Sequence, residues 1–302
     1  MTLHVNPTLP EHPDLPPRAG APAPSVLFGF EENGHITARA ALWDSGAVGH
    51  FDALSEEGAL AVLHAVKEEA QQRGLSSVVG PMNGNTWFKY RLVSDFGDGK
   101  PFFGEPWQPS QYLSYFQKAG FQEGWHYLSS SAPSDVQDPR FQDLEEKFRQ
   151  LGVTVRGVLP EKLEQDISSI HQLSLQAFQG NPFFSPIPEQ VFRSLYLPVF
   201  QQLPTQFIFL AEHEGRMVGF FLAYPDPLDR SRIIAKTIAV VAERQYAGLG
   251  RYLTGLLNRA AQQAGIPTII HALMHDSNSS TRLSHIYGSE IIRRYVLFRA
   301  EF

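Results

Sequence analysis

Apolar positions fall into short unbroken runs at some places in the chain and recur at helical spacing at others. Residues 233–241 are apolar except for Lys236 and Thr237, the pattern of a buried strand. Downstream, Leu253, Leu256, Leu257, Ala260, Ala261 and Ala264 fall at i, i+3, i+4, i+7, i+8 and i+11, which predicts an amphipathic helix. Upstream, the apolar segments 207–211 and 217–224 flank Glu212-His213-Glu214-Gly215, a hairpin signal. Residues 153–159 read as a strand. Pro160-Glu161 then suits a first helical turn, because proline fits the first helical position and an acid complements the dipole. Ile167, Ile170, Leu173, Leu175 and Phe178 mark the buried side of the helix that follows. Residues 268–273 and 294–298 predict two more strands, with Asn278 opening a short helix between them.

The first half repeats this order in weaker form. Phe28 to Trp43, turning at Asn33-Gly34, parallels Phe209 to Tyr224, and Asn-Gly is a strong tight-turn signal. Ala70-Gln71-Gln72-Arg73-Gly74 parallels Ala261-Gln262-Gln263-Ala264-Gly265, and each is followed by an apolar strand, at Val78-Val79 and at Ile269-Ile270. Leu113-Ser114 with Gly120-Phe121 parallels Leu283-Ser284 with Gly288. An internal duplication is the reading these parallels support.

Between the buried strand and the amphipathic helix lies Glu243-Arg244-Gln245-Tyr246-Ala247-Gly248-Leu249-Gly250-Arg251. A helix start offers free N–H groups and a partial positive charge, and glycine permits close approach of an anion. A P-loop requires Gly-Lys-Ser/Thr where Gly250-Arg251-Tyr252 stands, and a dinucleotide fingerprint requires a third glycine where Leu253 stands. Gln245-x-x-Gly248-x-Gly250 instead resembles the Gln/Arg-x-x-Gly-x-Gly/Ala pyrophosphate loop of the GCN5-related N-acetyltransferase (GNAT) superfamily, and the order of elements around it is similar to that family's. In the first half the corresponding stretch is Asp52-Ala53-Leu54-Ser55-Glu56-Glu57-Gly58, where two carboxylates at a helix start would repel a pyrophosphate.

The resemblance implies an α/β protein of tandem GNAT-like domains, each a mixed, mostly antiparallel sheet flanked by helices. The expected division is a Pro-rich tail (1–24), a degenerate domain without a CoA site (25–135), a linker helix (136–152) and an acetyl-CoA-binding domain (153–302). It implies acetyl-CoA, or another acyl-CoA, as co-substrate, held by Gln245, Tyr246, Ala247, Gly248, Leu249, Gly250, Arg251 and Asn278. It implies a carbonyl polarised by the backbone N–H of Val240 and an acyl group lined by Ile238. The activity implied is direct attack by a small-molecule amine on the thioester in a ternary complex. A non-catalytic acyl-CoA-binding module and a peptidyltransferase similar to the Fem type are the alternatives.

The family's thiolate acid is usually a tyrosine on the last helix, and here the pattern departs. Seven residues on from Asn278 is His285, four back from Gly288 is Ser284, and the nearest tyrosine is Tyr287. His285 shares a helical face with Asn278, and an imidazole is suited to donating a proton near neutral pH. His285 and Tyr287 are therefore both candidates, and no base is assigned. His271 and His275 lie four apart, but no third ligand follows at fixed spacing, so no metal is expected. Asp276, His285 and Ser279 lack the nucleophile-elbow sequence of a hydrolytic triad. Aromatic residues gather at Phe178, Phe183-Phe184, Phe192, Tyr196 and at Trp87-Phe88-Lys89-Tyr90-Arg91.

Composition narrows these expectations. The chain has 302 residues, 43% hydrophobic and 19% charged, ample for two globular domains. No stretch approaches the ~20 apolar residues of a membrane span, and the N-terminal segment lacks the apolar core of a secretory signal, so no membrane partner is expected and the cytoplasm is the expected compartment. A formal charge of -6 gives no reason to expect a nucleic-acid partner. With no cysteine, disulfides, thiolate metal sites and a cysteinyl acyl-enzyme are excluded.

Overall fold

The computed structural model describes residues 1–9, 20–202 and 204–302. In chain order its elements are β1 (Thr2–Val5), β2 (Val26–Glu32), β3 (His35–Leu42), β4 (Val48–Ala53), α1 (Glu56–Gln72), β5 (Ser77–Gly80), β6 (Leu92–Asp95), α2 (Gln111–Lys118), β7 (Gln122–Pro133), α3 (Phe141–Leu151) and β8 (Thr154–Arg156). They continue with α4 (Leu163–Ala177), α5 (Glu189–Gln202), β9 (Phe209–His213), β10 (Arg216–Pro225), β11 (Arg232–Val240), α6 (Leu249–Gln263), β12 (Thr268–His275), α7 (Ser279–Ile286) and β13 (Glu290–Glu301). These fall into two compact units. The first comprises Met1–Phe96, Pro106–His126 and Arg294–Phe302, and the second Gly97–Glu105 and Tyr127–Arg293.

In the first unit β1, β2, β3 and β4 form an antiparallel sheet in that order. Asn33 (φ 51) and Gly34 (φ 80) make the β2–β3 turn, with the left-handed backbone that Asn-Gly favours. Helix α1 lays Val62, Leu63 and Val66 into a core with Phe28, Phe30, Phe116 and Phe298. A parallel bridge, Ala47↔Val79, joins the ends of β4 and β5, and β13 pairs antiparallel with β5 and β6. At the start of α1 the Ser55 hydroxyl accepts from Gly58 N–H at 3.1 Å, and Glu56 is bound by Lys118 at 2.7 Å. The unit's own side chains thus occupy that helix end.

In the second unit the sheet order is β7-β12-β11-β10-β9-β8. It is antiparallel throughout except for the parallel pair β11–β12. Helix α6 buries Leu249, Leu253, Leu257 and Ala261 against Val218, Phe221, Ile233 and Ile269. The predicted strand over 153–159 shortens to Thr154–Arg156, and Pro160–Lys162 forms a 3₁₀ turn ahead of α4.

Three expected boundaries differ in the structure. Thr2–Val5, expected in an extended tail, pairs with β2 from Thr2↔Glu31 to Val5↔Phe28; residues 10–19 of that tail lie outside the described residues. The expected linker helix is part of the second unit, because Leu144 and Phe148 lie one turn apart on α3 and both enter its core. Helices α3 and α6 meet closely at Gly255, where a Cβ would come within 2.1 Å of the Phe141 ring. The chain from Arg294 onward belongs to the first unit, not to the second as expected.

Candidate functional site

Strand β11 leads through a 3₁₀ turn, Arg244–Tyr246, to Gly248 and the first turn of α6. Gly248 has φ 94, a backbone that a side chain would strain, and a Cβ there would lie 2.8 Å from Leu144. Its glycine is thus required by conformation and by inward packing. Ala247 N–H returns to Arg244 O and Tyr252 N–H to Gly248 O. The N–H groups of Gly248, Leu249, Gly250 and Arg251 find no acceptor among the described residues. Four consecutive donors at the positive end of a 15-residue helix are an anion cradle.

The flanking charges are sorted by geometry. Arg251 pairs with the buried Asp138 carboxylate, so it offers its backbone rather than its guanidinium. Burial raises the Asp138 pKa, but hydrogen bonds from Arg251 and the Arg140 N–H outweigh it and hold the carboxyl below its ordinary range. Glu243 is tied to Arg216 at 2.7 Å and to Gln245 Nε2 at 2.9 Å. Tyr246 is buried, its hydroxyl 2.8 Å from His213 Nδ1. Lys147 of α3 donates to Ala247 O at 2.6 Å. Neither Lys147 nor Arg244 has an ion-pair partner among the described residues, so two positive charges remain beside the cradle. Lys147 had no signal in the sequence, since its helix read as a linker.

The strand edge beside the cradle is open. Pairing of β11 with β12 stops at Ala235↔His271. Val241 N–H donates to Val218 O at 2.9 Å. Because direction alternates along an antiparallel strand, the N–H groups of Ile238 and Val240 point to the opposite, unpaired edge. A Cβ on Gly250 would lie 3.3 Å from Ile238 and 3.8 Å from Val240, so the helix start and this edge adjoin.

Helix α7 carries the remaining predicted residues. Asn278 precedes it, but its side chain makes no capping bond, leaving the amide without a partner among the described residues. His285 is exposed. Tyr287 is fully buried, with its hydroxyl 3.5 Å from Arg251 O, and burial raises its pKa. Ser284 faces inward, 2.6 Å from His271 Nδ1, 2.7 Å from Ser130 Oγ and 2.7 Å from Ser289 Oγ. The spacing of His271 and His275 brings no metal cluster: His275 Nδ1 lies 2.8 Å from Ser277 Oγ, and no group of three or more His, Cys, Asp or Glu able to hold a metal occurs among the described residues. Asp276 lies 3.2 Å from His275, not beside His285. Phe192 stacks on Tyr196 at 4.4 Å and is buried.

Burial depresses the His271 pKa to about 4. The unfolded chain therefore binds a proton below about pH 6.5 that the folded chain binds only near 4. The stability gained by keeping this ring neutral is complete above about pH 6.5 and lost as pH falls toward 4, up to about 3 kcal/mol. Urea unfolding at pH 7 and pH 4.5 is expected to show this loss, and His271→Gln is expected to reduce the difference.

Residues 169–285 match the model of the acetyltransferase (GNAT) family. No curated protein matches the chain. Among solved structures, it resembles a GCN5-related N-acetyltransferase from Sphaerobacter thermophilus at 15% identity and TM-score 0.53, covering 91% of this chain and 80% of that one. A tandem GNAT protein from the clavulanic acid biosynthesis pathway aligns at 14% identity and TM-score 0.51, covering 94% and 90%. A GCN5-related glucosamine N-acetyltransferase region of a fungal multi-domain β-N-acetylglucosaminidase aligns at 12% identity and TM-score 0.54, over 91% of this chain but only 33% of that protein. At such identities the likeness concerns the fold. No helix among the described residues is long and apolar enough to cross a membrane.

Proposed function

We propose that this chain, which belongs to the GNAT superfamily of acetyltransferases, transfers an acetyl group from acetyl-CoA to a primary amine of a small molecule. The observation that carries the reading is the run of four unaccepted N–H groups from Gly248 to Arg251, adjoining the open edge of β11. Acetyl-CoA supplies an activated thioester. The helix start holds its pyrophosphate, with Lys147 and Arg244 adding positive charge and the Asn278 amide available to the arm. The outward N–H of Val240 is the donor for the carbonyl oxygen, where negative charge grows as the amine attacks. His285, exposed on α7, is the proton donor to the departing thiolate.

Release of free CoA from acetyl-CoA, assayed across a broad panel of amines with mass spectrometry of the products, tests the activity. His285→Ala is expected to lower kcat by about 10²–10⁴-fold while leaving acetyl-CoA affinity unchanged, and Tyr287→Phe is expected to be mild. A crippled Tyr287→Phe beside an active His285→Ala would reverse the assignment. One observation favours a second reading: Ser284 is closed into a buried network and Tyr287 is fully buried, so α7 presents no tyrosine acid. Binding of acetyl-CoA without turnover on any amine would identify a non-catalytic acyl-CoA-binding module.

A further inference from the structure

The first unit contains an open cleft lined by Phe51, Tyr90, Trp107 and Tyr112. It opens beyond the Ala47↔Val79 bridge, between the end of β4 and the segment after β5. That is the place in the duplicated fold where the second unit has its open strand edge. The helix start that would hold a pyrophosphate is closed by Ser55 and Glu56, so the cleft requires a different ligand.

Its walls are aromatic. Phe51 packs edge-on against Tyr112 at 4.9 Å. Tyr90 lies under the Arg91 guanidinium at 3.8 Å, and Trp107 is 40% exposed, held edge-on by Phe96 at 5.0 Å. Most polar groups of the lining are already satisfied. Tyr112 donates to the Asp52 carboxylate and accepts from Ala53 N–H at 3.0 Å. Gln108 closes both ends of its amide on the Val93 backbone, at 3.1 and 3.0 Å. Asn83 Oδ1 accepts from His50 N–H at 2.8 Å.

The polar groups left over are donors: the Lys89 ammonium and the Asn83 amide nitrogen, neither with a partner among the described residues. Asp52 opposes the buried Arg39. Burial and the Arg39 charge together push the His50 pKa down to about 4, so that ring is neutral. His50 (φ 46) and Arg91 (φ 67) both hold left-handed backbone, a conformation that clusters at ligand sites.

We propose that this cleft is a second small-molecule site, for a compact aromatic carboxylate whose ring lies against Trp107 and Tyr90 and whose anion is met by Lys89 and Asn83. The acid partner of a cationic ligand is missing, since Asp52 is spoken for by Tyr112 and Arg39. The site therefore selects against an amine of the same shape.

The test uses the full chain and titration calorimetry with phenylacetate, with phenethylamine as the cation of matching shape. Phenylacetate is expected to bind saturably, one per chain, at least about tenfold more tightly than phenethylamine. Lys89→Glu and Trp107→Ala are each expected to weaken it about tenfold or more. Lys89 is exposed, so Lys89→Glu should melt with the parent; Trp107 also packs on Phe96, so Trp107→Ala is titrated well below its own melting temperature. Gly250→Asp, which alters the acyl-CoA cradle, should leave phenylacetate binding intact. The proposal is overturned if phenylacetate does not bind saturably, if phenethylamine binds as well, if either cleft variant keeps full affinity, or if Gly250→Asp removes binding.

Discussion

Gly250→Asp is expected to weaken acetyl-CoA binding by about 10²-fold or more while the protein stays folded. The substitution places a carboxylate among the four free N–H groups from Gly248 to Arg251. There it satisfies the donors a pyrophosphate needs and repels the phosphates. Like-charge juxtaposition in a binding site costs several kcal/mol, and each ~1.4 kcal/mol is tenfold in affinity. An acid near a helix N-terminus is itself favourable by about 0.3–1 kcal/mol, which offsets the tight 3.3 Å contact of the new Cβ with Ile238. Calorimetric titration of acetyl-CoA and a thermal melt on the same sample separate the two effects. Gly248→Asp is the poorer probe, since φ 94 and the Leu144 contact make it costly to the fold as well. Unchanged affinity in Gly250→Asp would remove the cradle from the account, and with it the proposed co-substrate.

What the sequence made legible was what neighbouring residues decide. Asn33-Gly34 set one hairpin because its left-handed backbone is a local preference, and Gly215 does the same for one position of the next. The helical spacing from Leu253 to Ala261 located α6 and its buried face. Gly248 and Gly250 marked the turn between β11 and α6, and the left-handed backbone of Gly248 adds a conformational requirement there. What was not legible depends on partners distant in the chain. Lys147 reaches Ala247 O across 100 positions, and α3 could be assigned to a unit only once Leu144 and Phe148 had found Leu249 and Leu253. Thr2–Val5 carries no periodicity that distinguishes a strand from a tail; only the free edge of β2 makes it one. On α7, counting from Asn278 and from Gly288 gave different residues for one role, and the structure turns Ser284 inward while leaving His285 exposed.

The largest effect on stability is expected at Glu105, a residue without any signal in the sequence. Its carboxylate lies 2.9 Å from Arg293 Nε, and both side chains are buried, at 0% and 1% exposure. The same guanidinium donates to Gly99 O at 2.9 Å, and Glu105 accepts from Phe102 N–H at 3.1 Å. The pair thus ties Gly97–Glu105 to the end of the second unit at Arg293. A buried pair gains little over well-packed apolar groups, because its Coulomb attraction mainly offsets the desolvation of two ions. Removing one partner is different, since the other charge is left buried and uncompensated. Glu105→Ala is expected to cost about 3–5 kcal/mol. Glu105→Gln, which keeps the volume and one acceptor but not the charge, should cost less. The double variant Glu105→Leu with Arg293→Met should recover much of the loss, as the buried charge is then gone. Urea unfolding of all four proteins checks this order. If Glu105→Ala unfolds at the parent's midpoint, Arg293 finds another counter-charge and the pair does not hold the segment in place.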